Sequence, residues 1–125
     1  LIEIGILVTA RRWGCQYEWI AHERIARDVG LRSEIIASIA RGAAPPDMNV
    51  DEALVYRFSV EVAWDGQPGA ASFDAAVERH GLDGTLDLIA VCGYYTLLAM
   101  VLNAAQPELP SGTVPLSPLD VSRPA

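Results

Sequence analysis

The chain has 125 residues, 51% apolar and 20% charged, enough to bury one core of ordinary domain size. All nine basic residues are Arg, and 16 acidic residues set against them leave a net charge of -7. A surface this acidic repels phosphate, which argues against a nucleic-acid partner and against polybasic membrane attachment. Two cysteines, Cys15 and Cys92, are too few for a disulfide framework. No signal-peptide pattern opens the chain, so the expected setting is cytoplasmic. The sequence starts at Leu1 without an initiator Met, which fits a fragment or a processed product.

Leu1 to Trp13 reads equally as helix or strand. Ile2, Ile4, Ile6 and Val8 alternate with Glu3, Gly5 and Thr9, and β-branched content favours a strand. Residues 15–29 predict an amphipathic helix, and 33–41 a short one ended by Gly42 and Pro45-Pro46. Asp51 to Trp64 predicts a helix with Asp51 and Glu52 at its positive end. Ser72 to His80 is a shorter helix stopped by Gly81, and Asp83 or Thr85 opens a long apolar one that ends before Pro107. Within it, the uncharged run from Leu88 to Gln106 is broken by Gly93, Tyr94, Tyr95, Thr96 and Asn103. Its strongly apolar part is short for a membrane span, so it is expected to be a buried central helix. The last 19 residues hold five of the eight prolines and predict an extended tail, either disordered or draped over a neighbouring subunit. The expected class is all-α, with a helical domain over 1–106 and a Pro-rich tail over 107–125.

Residues 15–29 carry the chemistry. At about 100° per residue, Cys15, Glu18, Trp19, His22, Ile25, Ala26 and Val29 share one face. Gln16, Glu23, Arg24, Arg27 and Asp28 lie outside it. Burying ionisable groups costs free energy unless they pair, so Cys15, Glu18 and His22 stacked on the apolar side point to a site. Glu18 and His22, four residues apart, are expected to hydrogen-bond, the carboxylate fixing the imidazole tautomer. Cys15, in the first turn beneath free N–H groups, is expected to favour thiolate. His80 reads as a helix C-terminal dipole partner, and Cys92 as core. Tyr94, Tyr95, Trp13 and Trp64 read as packing. The chain has only two His and shows no zinc spacing and no phosphate-cradling loop, so no metal and no cofactor is expected.

Glu3, the run Gly14-Cys15-Gln16-Tyr17-Glu18-Trp19-Ile20-Ala21-His22, Ala26 and Gly30-Leu31 together resemble the carboxymuconolactone decarboxylase family, which includes the alkylhydroperoxidase D proteins. Gly93-Tyr94-Tyr95-Thr96-Leu97-Leu98, followed by Leu102-Asn103-Ala104, is similar to that family's last core helix. The resemblance implies a helical bundle of about six helices, a helical Leu1–Trp13, further helices upstream, and a homo-oligomer, trimer or hexamer. Alkylhydroperoxidase D proteins carry a Glu, eleven residues, then Cys-x-His-Cys-x-x-x-His. Glu3, Cys15 and His22 match the Glu, the first Cys and the last His, whereas Tyr17 and Glu18 stand at the first His and the second Cys. Without Cys-x-x-Cys this chain cannot run a dithiol peroxidase cycle by itself.

The decarboxylases resemble this chain in Glu18-x-x-x-His22. The resemblance therefore implies acid/base chemistry on a small oxygenated acid or lactone. His22 is the expected proton donor, Glu18 its orienter and Glu3 a second, tuning carboxylate. A dicarboxylic substrate would want an Arg clamp, and only Arg11 and Arg12 lie near the site in sequence. The alternatives are a single-Cys peroxidase of the peroxiredoxin type built on Cys15, and a non-catalytic oligomeric relative.

Overall fold

In the computed structural model, which describes residues 1–118 and 123–124, helix α1 (Ile2–Trp13) is buried continuously from Ile4 to Arg11. Around it lie α2 (Gln16–Asp28), α3 (Ser33–Ala40), α4 (Val50–Asp65) and α5 (Ala70–Ala105). All regular structure among the described residues is helical, so the class is all-α. The ambiguity over Leu1–Trp13 resolves to helix. A helix enclosed on every side needs apolar residues all round, and so it loses the 3.6-residue signature that would have marked it. Ile4 and Leu7 from α1 meet Trp19 from α2, Ile35 and Ile36 from α3 and Phe58 from α4 in one core.

Among the described residues five helices form where about six were expected. The two C-terminal segments join into α5 through a single non-helical residue, Gly81, at φ 73° and ψ 170°. That backbone conformation is open to Gly and strained for any L side chain. The Thr85 hydroxyl donates to the Gly81 carbonyl at 2.8 Å, tying the second half of α5 to the break. Helix α4 is opened by a capping box. The Asn49 side chain accepts from the Glu52 N–H, and the Glu52 carboxylate accepts from the Asn49 N–H, both at 2.9 Å.

The expectation that the long apolar helix is the buried centre is corrected. That place belongs to α1, and only 17% of the most apolar window of α5 is buried. Leu82, Leu86, Tyr94, Leu97 and Val101 recur at helical spacing and leave an apolar stripe exposed along α5. By length and composition alone α5 could cross a membrane.

The tail from Pro107 forms no helix or strand among its described residues, and it lies on this chain's own helices. Gln16 binds Leu116 reciprocally. Its side-chain amide donates to the Leu116 carbonyl at 3.0 Å, and its side-chain oxygen accepts from the Leu116 N–H at 2.7 Å. Arg11 donates to the Ser117 carbonyl at 2.7 Å, and Arg123 pairs with Asp65 at 3.1 Å. Residues 119–122 and 125 of the predicted tail lie outside the described residues.

Candidate active site

The site begins with a turn. Gly14 closes α1 in the left-handed region, at φ 57° and ψ 30°. The Cys15 N–H donates to the Ala10 carbonyl at 3.0 Å and the Gly14 N–H to the Arg11 carbonyl at 3.2 Å, the bond pair that seals a helix before a left-handed Gly. The chain reverses within two residues, so α2 packs directly on α1. That contact carries His22 to Glu3.

The His22 Nδ1–H donates to Glu3 Oε2 at 2.9 Å. The orienting carboxylate is therefore Glu3, not Glu18 as the four-residue spacing suggested. Depth separates Glu18 from His22. Glu18 is 2% exposed, whereas the side chains of His22 and Glu3 keep 14% and 16% of their surface, so the bonded pair reaches solvent. With Nδ1 committed, Nε2 is the nitrogen left for proton transfer.

Glu18 is the unusual group. Neither carboxyl oxygen has a hydrogen-bond partner among the described residues. Burial without compensation disfavours the charged form and pushes the carboxyl up to about 7. A buried polar group left unpartnered is rare and demands an explanation.

Cys15 caps the N-terminus of α2 and is 1% exposed. Burial pushes its thiol up, and the Glu18 carboxylate adds to the rise. The N–H groups of Glu18 and Tyr17 pull the other way without prevailing. The expectation of a low-pKa first-turn thiolate is thus overturned, because desolvation outweighs the helix end. A cleft of about 350 Å³ runs between Cys15, Tyr17, Leu102, Asn103 and Leu109. The apolar face of α2 is narrower than the wheel indicated: Cys15, Glu18, Trp19 and Ala26 face inward, while Ile25 and Val29 are exposed. Cys92 is buried core, as read.

Tyr95 joins the site although its residue type read as packing. Its ring stands edge-on to the His22 ring, with centroids 4.8 Å apart and planes at 82°. Burial holds its hydroxyl protonated, and the charges of Glu3, Tyr94 and Glu18 act in the same direction. The register of α5 that puts it there is fixed next door. The Trp13 indole N–H donates to Thr96 Oγ1 at 3.2 Å, and the Asn103 amide donates to the Trp13 carbonyl at 2.9 Å. The available sequence signal was the Gly93-Tyr94-Tyr95-Thr96 run inside an apolar helix.

Arg11 and Arg12 are engaged elsewhere. Arg11 serves the tail, while Arg12 donates to the Ala63 carbonyl and lies against the Trp13 and Trp64 rings at 5.3 and 5.5 Å. Among the described residues no three His, Cys, Asp or Glu side chains are grouped to hold a metal. The arrangement offers a bonded His–Glu pair near the surface, a buried carboxyl raised to about 7 on the same helix as the His, and a tyrosine ring edge-on to the imidazole, a set suited to moving protons.

Glu18 gives stability a definite pH dependence. Its carboxyl titrates near 4.5 when unfolded and near 7 when folded, so the unfolded chain gives up the proton first. The stabilising contribution is full below pH 4.5 and is lost as pH rises through 7. Urea unfolding at pH 5 and pH 8 should differ by about 2–3 kcal/mol, the lower pH being the more stable, and Glu18→Gln should remove most of that difference. An equal slope in the variant would show that Glu18 is not the group responsible.

Compared with protein-family models, with curated proteins and with solved structures, the chain matches none.

Proposed function

We propose that the chain is a carboxymuconolactone decarboxylase-like enzyme, with an alkylhydroperoxidase D-like bundle, that performs general acid/base chemistry on a small lactone or oxygenated acid. One observation carries this reading: the Glu18 carboxyl is buried, without a hydrogen-bond partner among the described residues, and raised to about 7. A side chain kept in that condition costs stability, and acid/base catalysis is the function that needs a carboxyl so poised. The order and spacing of Glu3, Gly14-Cys15, Glu18-Trp19 and His22 support the family.

His22, oriented by Glu3, donates or accepts the proton through Nε2. Glu18 supplies an uncharged O–H toward the negative charge that develops on the substrate. No Arg stands with these groups, so a substrate with one carboxylate or none suits the site better than a dicarboxylate. The single-Cys peroxidase reading loses its main warrant with the buried, raised-pKa Cys15 thiol. A non-catalytic relative would have no use for the destabilising Glu18.

The partner that we propose for the exposed stripe of α5 is a second copy of the chain. Asp83, Asp87 and Glu108 frame the stripe, and no Arg or Lys lies between Arg79 and Arg123, a poor setting for an anionic bilayer. Burying the stripe against another copy removes the largest exposed run of apolar side chains.

Two measurements test these proposals. On enol lactones carrying one carboxylate, His22→Gln and Glu18→Gln should each lower turnover by about 10²-fold or more while the variants remain folded at the assay temperature. Unchanged turnover in both would remove His22 and Glu18 as the acid/base groups, and no turnover by the wild-type chain would end the enzymatic reading. Light scattering without detergent should report a trimer or hexamer, reduced to a monomer by Leu86→Glu with Leu97→Glu. A stable wild-type monomer at micromolar concentration would refute assembly.

A further inference from the structure

We infer that a small cavity where α1, α3 and α4 meet is a binding site for a single chloride ion, held by the Arg11 guanidinium and the Trp64 indole N–H. None of Glu3, Glu18, His22 or Tyr95 lines this cavity, so the inference stands apart from the acid/base reading. Tyr56, Val60 and Trp64, four residues apart on one face of α4, form one wall. Val8 and Arg11 of α1 form the other, and Pro124 of the tail adds to the lining. Arg11 is only 4% exposed. Its Nη2 donates to the Ser117 carbonyl at 2.7 Å, but its buried Nε has no hydrogen-bond partner among the described residues. The buried Nε1 of Trp64 has none either. The cavity is the space that both side chains share, so it is where an acceptor for either N–H can lie.

Three constraints select the occupant. Both orphan groups are donors that cannot accept, so the occupant must accept from each. The Arg11 charge is buried and no carboxylate pairs with it among the described residues, so a negative occupant offsets a cost that a neutral one leaves standing. Arg12, next in sequence, lies 5.5 Å from the Trp64 ring centroid and adds a second positive charge near the same indole. The space is also small. It leaves about 10 Å³ for the centre of a water-sized sphere, room for one monatomic or water-sized body. Sulfate, phosphate and organic carboxylates are too large. A water molecule fits and accepts both N–H groups, but it leaves the guanidinium charge unbalanced. Val8, Ile39 and Val60 give the remaining walls apolar character, which suits a weakly hydrated halide. Arg11 then serves two masters, the ion and the Ser117 carbonyl, so chloride bound here also steadies the docking of the tail.

The test reads halide binding to the full chain. The chloride NMR line width should rise with added protein. Sodium bromide should remove the excess width, whereas sodium sulfate at equal ionic strength should not. Trp64→Phe, which keeps a ring and loses the N–H, should weaken chloride binding about tenfold or more. Arg24→Gln, which removes an exposed cation elsewhere, should leave it unchanged. As a check independent of any variant, wild-type crystals grown in sodium bromide should show an anomalous scattering peak within hydrogen-bond distance of both Arg11 Nε and Trp64 Nε1. No excess line width, equal competition by sulfate, unaltered affinity in a folded Trp64→Phe, or a water molecule at that position without anomalous signal would each overturn the inference.

Discussion

The rest of the site is organised around a buried carboxyl group, that of Glu18, with neither oxygen bonded among the described residues. An ionised carboxylate in that position is more expensive than a neutral acid, so burial raises the Glu18 carboxyl to about 7 and it holds its proton through mildly acidic pH. The helices that impose this are already committed by their own packing. α1 is enclosed along almost its whole length, and α2 is locked against it by the left-handed turn at Gly14. The core thus supplies the force that sets its chemistry.

Two glutamates consequently live in different surroundings within one small site. Glu3 spends its oxygen on the His22 imidazole at the rim, and Glu18 remains unspent in the interior. Acid/base enzymes separate the roles of like groups by environment in this way. Tyr95 meets the His22 ring from a third element, α5, held in register by the Trp13–Thr96 and Asn103–Trp13 bonds. The same helix turns its opposite, apolar side outward, so a contact made there with another copy would bear on the element that carries Tyr95.

Much of this was legible in the sequence, and the exceptions have physical causes. The all-α class and the limits of α2, α3 and α4 follow from caps, glycines and helical spacing. Glu18 and His22 stood out because ionisable groups on an apolar face are conspicuous, and Glu3 came from the family resemblance. Their pairing was not legible, since a helical wheel gives direction around an axis but not depth. Only the approach of α1 shows that His22 meets Glu3 while Glu18 sinks. Cys15 was misjudged for a related reason. Helix-end electrostatics can be read from position, but desolvation depends on what covers the thiol. Tyr95 stayed hidden because a tyrosine in an apolar helix looks like packing until its neighbour across the fold is known. The places of α1 and α5 were exchanged because an apolar run does not say whether the chain itself or something else covers it.

Infrared difference spectroscopy of the carboxyl C=O stretch, titrated from pH 3 to pH 9 and compared with Glu18→Gln, tests the central claim most directly. A single protonated carboxyl band that persists through pH 6, disappears with a midpoint near 7 and is missing from the variant is the predicted result. Loss of every carboxyl band by about pH 5, with no difference between wild type and variant, would contradict it, because Glu18 would then titrate like an ordinary exposed glutamate.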